Sequence, residues 1–207
     1  TRSTTVTGVQ TCALPICVID FDASDRDYLD TPVWRHAMNR LPWLVILMIA
    51  YVFTGKIITG FESSLSKVMG LVAFMPMLMG TGGNTGSQAA TLVIRGLATD
   101  EVDTDDALKI LWKEIRVGVI IGVILSIFNY LRIYFVDGIH APGIALTVCM
   151  SMIFIVIFAK VIGSMVPIIV KKMNLDPALI ANPAISSVSD AVALSIYFAM
   201  ATVFLNI

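Results

Sequence analysis

Residues 76–98 read PMLMGTGGNTGSQAATLVIRGLA, and this stretch decides the fold. Both ends are apolar. The middle carries glycines at Gly80, Gly82, Gly83 and Gly86 together with Asn84, Thr85, Ser87 and Gln88. The apolar character extends backwards to give a span over 68–98. As one straight helix that span would be about 46 Å long, against a hydrocarbon core of about 30 Å. Interior glycines cost near 1 kcal/mol each relative to Ala. A break or unwound turn is therefore expected at the glycines, and membrane-depth backbone of that kind survives only against protein or a water-filled cavity. Close helix packing through small residues is the other reading of the glycines. It leaves Asn84, Thr85, Ser87, Gln88 and Thr91 unexplained, and at helical spacing Asn84, Ser87, Gln88 and Thr91 share one face.

Working outward, the chain of 207 residues is 57% hydrophobic and only 14% charged, with a mean hydropathy of +0.86. Soluble domains carry roughly 25% charged residues. The composition excludes a disordered chain, a nucleic-acid binder and an ordinary soluble enzyme, and predicts an integral membrane protein. Five apolar segments follow one another, at about 41–61, 68–98, 112–136, 142–170 and 177–207. Each reaches the roughly 20 residues needed to span, and each must be helical, because lipid offers open backbone groups no partner. Arg35, Arg40, Arg95, Lys109, Lys113, Arg116, Lys171 and Lys172 fall on one side, against Lys56, Lys67 and Arg132 on the other. This asymmetry predicts a cytoplasmic amino terminus and an extracytoplasmic carboxyl terminus. Trp34, Trp43 and Trp112 fall near the cytoplasmic interface. Cys12, Cys17 and Cys149 form no disulfide framework, and His36 and His140 lack ligand spacing.

The last segment holds the second anomaly. Asn182, Ser186 and Asp190 lie at i, i+4 and i+8, a polar stripe on one helix face, flanked by Ser187 and Ser189. Asp190 is the one acid deep inside a predicted span. A carboxylate at that depth costs at least about 2.5 kcal/mol and marks a solute pathway by default. A structural Asp paired with Lys160 of the fourth span is the competing reading.

The ligands on the two stripes are hard oxygens, with no thiolate or imidazole, which disfavours soft transition metals. Neither stripe has the aromatic or cationic anchors a bulky organic substrate would use. A hydrated divalent cation fits best, since magnesium keeps several waters and binds through one or two carboxylates. One Asp per chain is thin for a doubly charged ion, and a two-fold homodimer with the pore on its axis would supply two.

Residues 76–98 and the stretch DPALIANPAISSVSDAVALSIYF, residues 176–198, resemble the signature segments of the MgtE-type magnesium channel/transporter family. The likeness extends over about 41–205. It implies an all-α membrane fold of five transmembrane helices, a homodimer in the lipid bilayer, and a central pore lined by the second and fifth helices. By this resemblance Asp190 corresponds to the pore aspartate that holds hydrated Mg²⁺. Asn182 and Ser186 correspond to its partners on the same helix, and Asn84, Ser87 and Thr91 to pore-lining positions. Ser87 stands where many relatives have Asn. Mg²⁺ is then cargo and pore-bound ion, and the protein is a transporter of the cell (inner or plasma) membrane and no enzyme.

Residues 1–19 resemble translated adapter sequence and are expected to be a non-native or disordered segment. Residues 20–40, with the acidic run from Asp20 to Asp30, are expected to be a cytoplasmic, amphipathic connecting segment, and 41–207 the pore domain. The soluble helical and paired nucleotide-binding-type sensor domains usual in the family are not expected here. Three other functions compete. An ion-coupled Mg²⁺ exporter would share the pore. A membrane assembly subunit would transport nothing. An intramembrane aspartyl protease needs two carboxylates to divide acid and base roles, and the spans offer one.

Overall fold

A computed structural model describes residues 32–61, 69–138, 141–173 and 177–205. Residues 1–19, and most of the connecting segment expected at 20–40, lie outside them. The described residues are helical throughout, with no strand among them. Five long helices are present: α1 Val33–Gly60, α2 Met75–Ala98, α3 Ala107–Phe135, α4 Pro142–Lys172 and α5 Pro177–Leu205. Short 3₁₀ segments, Met69–Phe74 and Thr104–Asp106, lead into α2 and α3.

Among the described residues, three stretches are long and apolar enough to cross a membrane: Thr104–Phe135, Pro142–Lys172 and Ala184–Leu205. Leu44–Gly60 is a shorter apolar helix. Helix α2 is absent from this set because its polar, glycine-rich middle lowers its hydropathy.

α4 touches α2, α3 and α5, and α2 and α5 also pack on each other. α1 lies against α5. The centre is therefore the α2–α4–α5 trio, with α3 outside α4 and α1 outside α5. The principal core runs through this trio and includes Leu71, Phe74, Leu78, Ile155, Leu194 and Phe198. The Tyr197 hydroxyl donates to the Leu71 carbonyl at 2.9 Å, tying α5 to the turn before α2. Phe61, at the end of α1, stacks on Phe198 with ring centroids 4.7 Å apart. Between α3 and α4, the Ser126 hydroxyl donates to the Cys149 carbonyl at 3.1 Å, while the Cys149 thiol donates to the Ser126 carbonyl at 3.5 Å.

The expected break in the second span does not occur. α2 runs as 24 continuous α-helical residues, about 36 Å long. The apolar residues before it wind as a 3₁₀ turn rather than lengthening the helix. The glycines make room for neighbours. A Cβ on Gly82 would lie 3.0 Å from Ile155 of α4, and one on Gly86 would lie 3.0 Å from Ile185 of α5 and 3.1 Å from the Ala159 carbonyl oxygen. A Cβ on Gly163 would fall on the Gly86 carbonyl. Small residues here let backbones approach closely, which is the packing role glycine takes between membrane helices.

Candidate functional site

The continuity of α2 gives it two distinct faces. Gly82, Thr85, Gly86, Ala89, Ala90 and Val93 are buried toward α4 and α5. Asn84, Gln88 and Thr91 are uncovered by the rest of the chain, and Ser87 is half-buried. Asn84, Ser87, Gln88 and Thr91, with Leu92, line one open groove of about 670 Å³. The shared polar face expected from helical spacing is thus present. The Thr91 hydroxyl donates to the Ser87 carbonyl at 2.9 Å. Its proton is therefore engaged within the helix.

Asp190 is packed against α2 just outside the lining of this groove. Its Oδ1 lies 3.8 Å from where a Gly83 Cβ would be, and the Ser186 Oγ lies 3.9 Å from the same point. Gly83 directly precedes Asn84, so α5 brings Ser186 and Asp190 onto α2 at the edge of the polar face. A methyl group at Gly83 would meet both at ordinary van der Waals distance. Tyr51 of α1 lies near the Asp190 carboxylate. Asn182 lies two turns earlier on α5, and its side chain is outside the described residues.

The serines that flank the stripe turn elsewhere. Ser187 and Ser189 are buried, and Ser189 faces the Gly86 position. Its Oγ has no hydrogen-bond partner.

Lys160 does not serve Asp190. Its ammonium is 3.0 Å from Glu114 of α3, with side-chain exposures of 4% and 12%. The pair joins α3 to α4. Glu114 sits at the start of the third span, so Asp190 is not alone among acids inside the bundle, but it is the one without a cationic partner among the described residues. No group of three or more His, Cys, Asp or Glu side chains gathers among the described residues. One chain therefore offers one carboxylate at this place, with the Ser186 hydroxyl beside it.

Two neighbours of Asp190 were not foreseen from the residues. Tyr51 gave no signal, being one hydroxyl in an apolar run far from Asp190 in sequence. Gly83 was visible as a glycine, but its partner was not. The pairing of Lys160 could be sought in Glu114, since a buried cation requires a buried anion, yet 46 residues separate them.

Residues 75–200 match the family described as MgtE, divalent cation transporter. The chain is similar to the magnesium transporter MgtE of Thermus thermophilus, 41% identical over 185 residues, which cover 89% of this chain and 40% of that protein. It is also similar to the magnesium transporter MgtE of Bacillus subtilis, 35% identical over 187 residues covering 90% of this chain and 41% of that one. A third relative of the same name, from Enterococcus faecalis, is 29% identical over 174 residues, with 83% and 38% covered. The chain thus spans about 40% of the length of the curated relatives it matches. With the family matched from the head of α2 through most of α5, this chain belongs to the MgtE family of divalent cation transporters.

Proposed function

We propose that this chain forms the membrane-spanning, pore-lining part of a Mg²⁺ transporter, and that Asp190 is the charged contact of the ion. The observation that carries this reading is the placement of a half-buried carboxylate with no cationic partner at the edge of a polar groove, in a chain whose relatives are named magnesium transporters. An unpaired carboxylate at membrane depth is costly, and a cation in transit offsets that cost. The groove is open in one chain. A second copy related by a two-fold axis would close it and bring a second Asp190, giving the two carboxylates a divalent ion favours. In this arrangement α2 and α5 line the path, and α1 to α5 are the five spans. The amino-terminal end of α1 faces the cytoplasm in the cell membrane, as the distribution of Lys and Arg requires.

The amides and hydroxyls of Asn84, Ser87, Thr91, Asn182 and Ser186 act on the ion's water rather than on the bare ion. Asp190 supplies the charge. Because such a site reads a hydrated ion, Mg²⁺ is preferred over Ca²⁺, and Co²⁺, Mn²⁺ or Ni²⁺ leak through. Transport is channel-like, driven by the ion's own gradient.

Mg²⁺ uptake into proteoliposomes tests this reading, with Asp190→Asn beside the wild type. Each charge-assisted contact is worth about 1.5–3 kcal/mol, and the dimer loses two, so uptake should fall about a hundredfold or more. Undiminished uptake by a folded variant removes Asp190 from the path. Uptake that requires an imposed H⁺ or Na⁺ gradient replaces the channel with a coupled carrier.

A further inference from the structure

α2 and α3 both pack on α4 but scarcely on each other, and the gap between them is a cavity of about 580 Å³. The Lys160–Glu114 ion pair, which joins α4 to α3, lines it. The turn from α2 to α3 closes its end. That turn is held firmly: the Glu101 and Val102 amides donate to the Gly96 carbonyl at 3.0 and 3.3 Å, and Asp103 caps the 3₁₀ segment that follows. Asp106 and Lys109 line the same end and pair with each other at 2.7 Å.

The walls change character along the helices. On α2, Leu92 and Val93 lie up to a turn inside Arg95. On α3, Val117 lies one turn inside Lys113, which lies one turn inside Lys109. Ile110 adds an apolar side chain between the two lysines. The cavity is thus cationic toward the helix ends and apolar farther in. Trp112, 62% exposed beside Lys113, belongs at a membrane–water interface, where indole rings collect. The Lys160–Glu114 and Lys109–Asp106 charges cancel in pairs. Arg95, Lys113 and Glu101 make no ion pair among the described residues, so two cations stand against one carboxylate.

We propose that this cavity binds an anionic phospholipid of the adjoining leaflet, its phosphate held by Arg95 and Lys113 and the upper part of an acyl chain lying on Leu92, Val93 and Val117. Basic pockets between spanning helices take lipid headgroups in this way, and a guanidinium fork matches phosphate oxygens. One negative charge answers the one unmatched cation, which a lipid of no net charge does not. Free phosphate would use the cations but leave the apolar wall wet. Leu92 lines both this cavity and the polar groove, so the lipid would bear on the helix that carries the groove. The site stands apart from the reading of Asp190.

The test uses the full chain in non-ionic detergent. Thermal stabilisation is titrated with phosphatidylglycerol, phosphatidylcholine and inorganic phosphate, and bound lipid is counted by native mass spectrometry. The variants are Arg95→Gln with Lys113→Gln, and, as a matched loss of charge outside the cavity, Lys171→Gln with Lys172→Gln. A ligand that binds the folded chain raises its melting temperature in proportion to occupancy. At about 1 kcal/mol for each cation near the membrane surface, the cavity variant should need about thirtyfold more phosphatidylglycerol for half of the effect. The Lys171/Lys172 variant should stay within about twofold of wild type. Phosphatidylcholine should be weaker than phosphatidylglycerol by at least about tenfold, and one phosphatidylglycerol per chain should survive in the mass spectrum of wild type but not of the cavity variant. Equal shifts in the two variants, or equal effects of the two lipids, overturn the proposal. Stabilisation by inorganic phosphate as strong as by phosphatidylglycerol makes the ligand a free anion and overturns the lipid. A lipid-free dimer that falls apart in the cavity variant makes a second copy the occupant and overturns it as well.

Discussion

Glu114 and Asp190 are both carboxylates inside the helical bundle, and the chain treats them in opposite ways. Glu114 has Lys160 at 3.0 Å, between two helices that pack along their length. Asp190 has a tyrosine, a serine and a glycine backbone for neighbours, with a polar groove alongside. The first charge is neutralised within the protein. The second has no counter-charge among the described residues. A buried acid is therefore not by itself a sign of function: the sign is a buried acid that lacks its counter-charge.

The comparison breaks most easily at the pair. Removing one member of a buried ion pair strands the other and costs about 3–5 kcal/mol. Lys160→Met should therefore destabilise the protein by about that amount, read as denaturant unfolding in detergent. Replacing both members, as Glu114→Gln with Lys160→Met, should recover much of the loss. The matched experiment is Asp190→Asn, which strands nothing and removes a desolvated charge. Its melting temperature should equal or exceed that of the wild type. If Lys160→Met were neutral and Asp190→Asn severely destabilising, the assignment of structural and functional carboxylates would have to be exchanged.

The same division runs along α2, between its inner and groove faces. The inner face meets Gly163 so closely that a methyl group there would fall on the Gly86 carbonyl. Gly163→Ala must push α4 from α2, and overpacking of this kind costs about 1–3 kcal/mol. The loss should appear as a lower melting temperature. Uptake per folded molecule should fall as well, because α2 carries the groove. A Gly163→Ala protein as stable as wild type would show that the two helices are not in contact there.

These two faces also show what the residues disclose and what they withhold. The helices were legible from hydropathy because a lipid-facing segment must be apolar along its length. Pro142–Lys172 and Pro177–Leu205 end within two residues of expectation, while α1 and α3 begin earlier than expected, at Val33 and Ala107, and α2 begins later, at Met75. The polar groove face was legible from the spacing of Asn84, Ser87, Gln88 and Thr91. The break expected at the glycines was wrong, because a glycine run reads alike whether it frees the backbone or admits a neighbour. Only the position of Gly163 on another helix distinguishes the two. Asp190 was legible because its cost stands out against an apolar background. Its nearness to Tyr51, and the pairing of Lys160 with Glu114, depend on which helix faces meet. Periodicity within one helix carries no such information.

The smallest expected effect lies in the groove itself. Asn84 is uncovered by the rest of the chain and lies beside Gly83, the position that faces Asp190. Its amide would meet the water around the ion rather than the ion. When Asn84→Ala removes it, the space opens to water, and a water can take over such hydrogen bonds at a cost of about 0–2 kcal/mol. Nothing buried is stranded, since the position faces the groove, so the melting temperature should hold. Mg²⁺ uptake should fall less than about thirtyfold, well short of the loss expected for Asp190→Asn. Preference for Mg²⁺ over Ca²⁺ should also weaken, because the amide helps fix the geometry of the hydration shell. An Asn84→Ala loss as deep as that of Asp190→Asn would mean that the amide touches the ion directly. The groove face would then share the charge-bearing role assigned to α5.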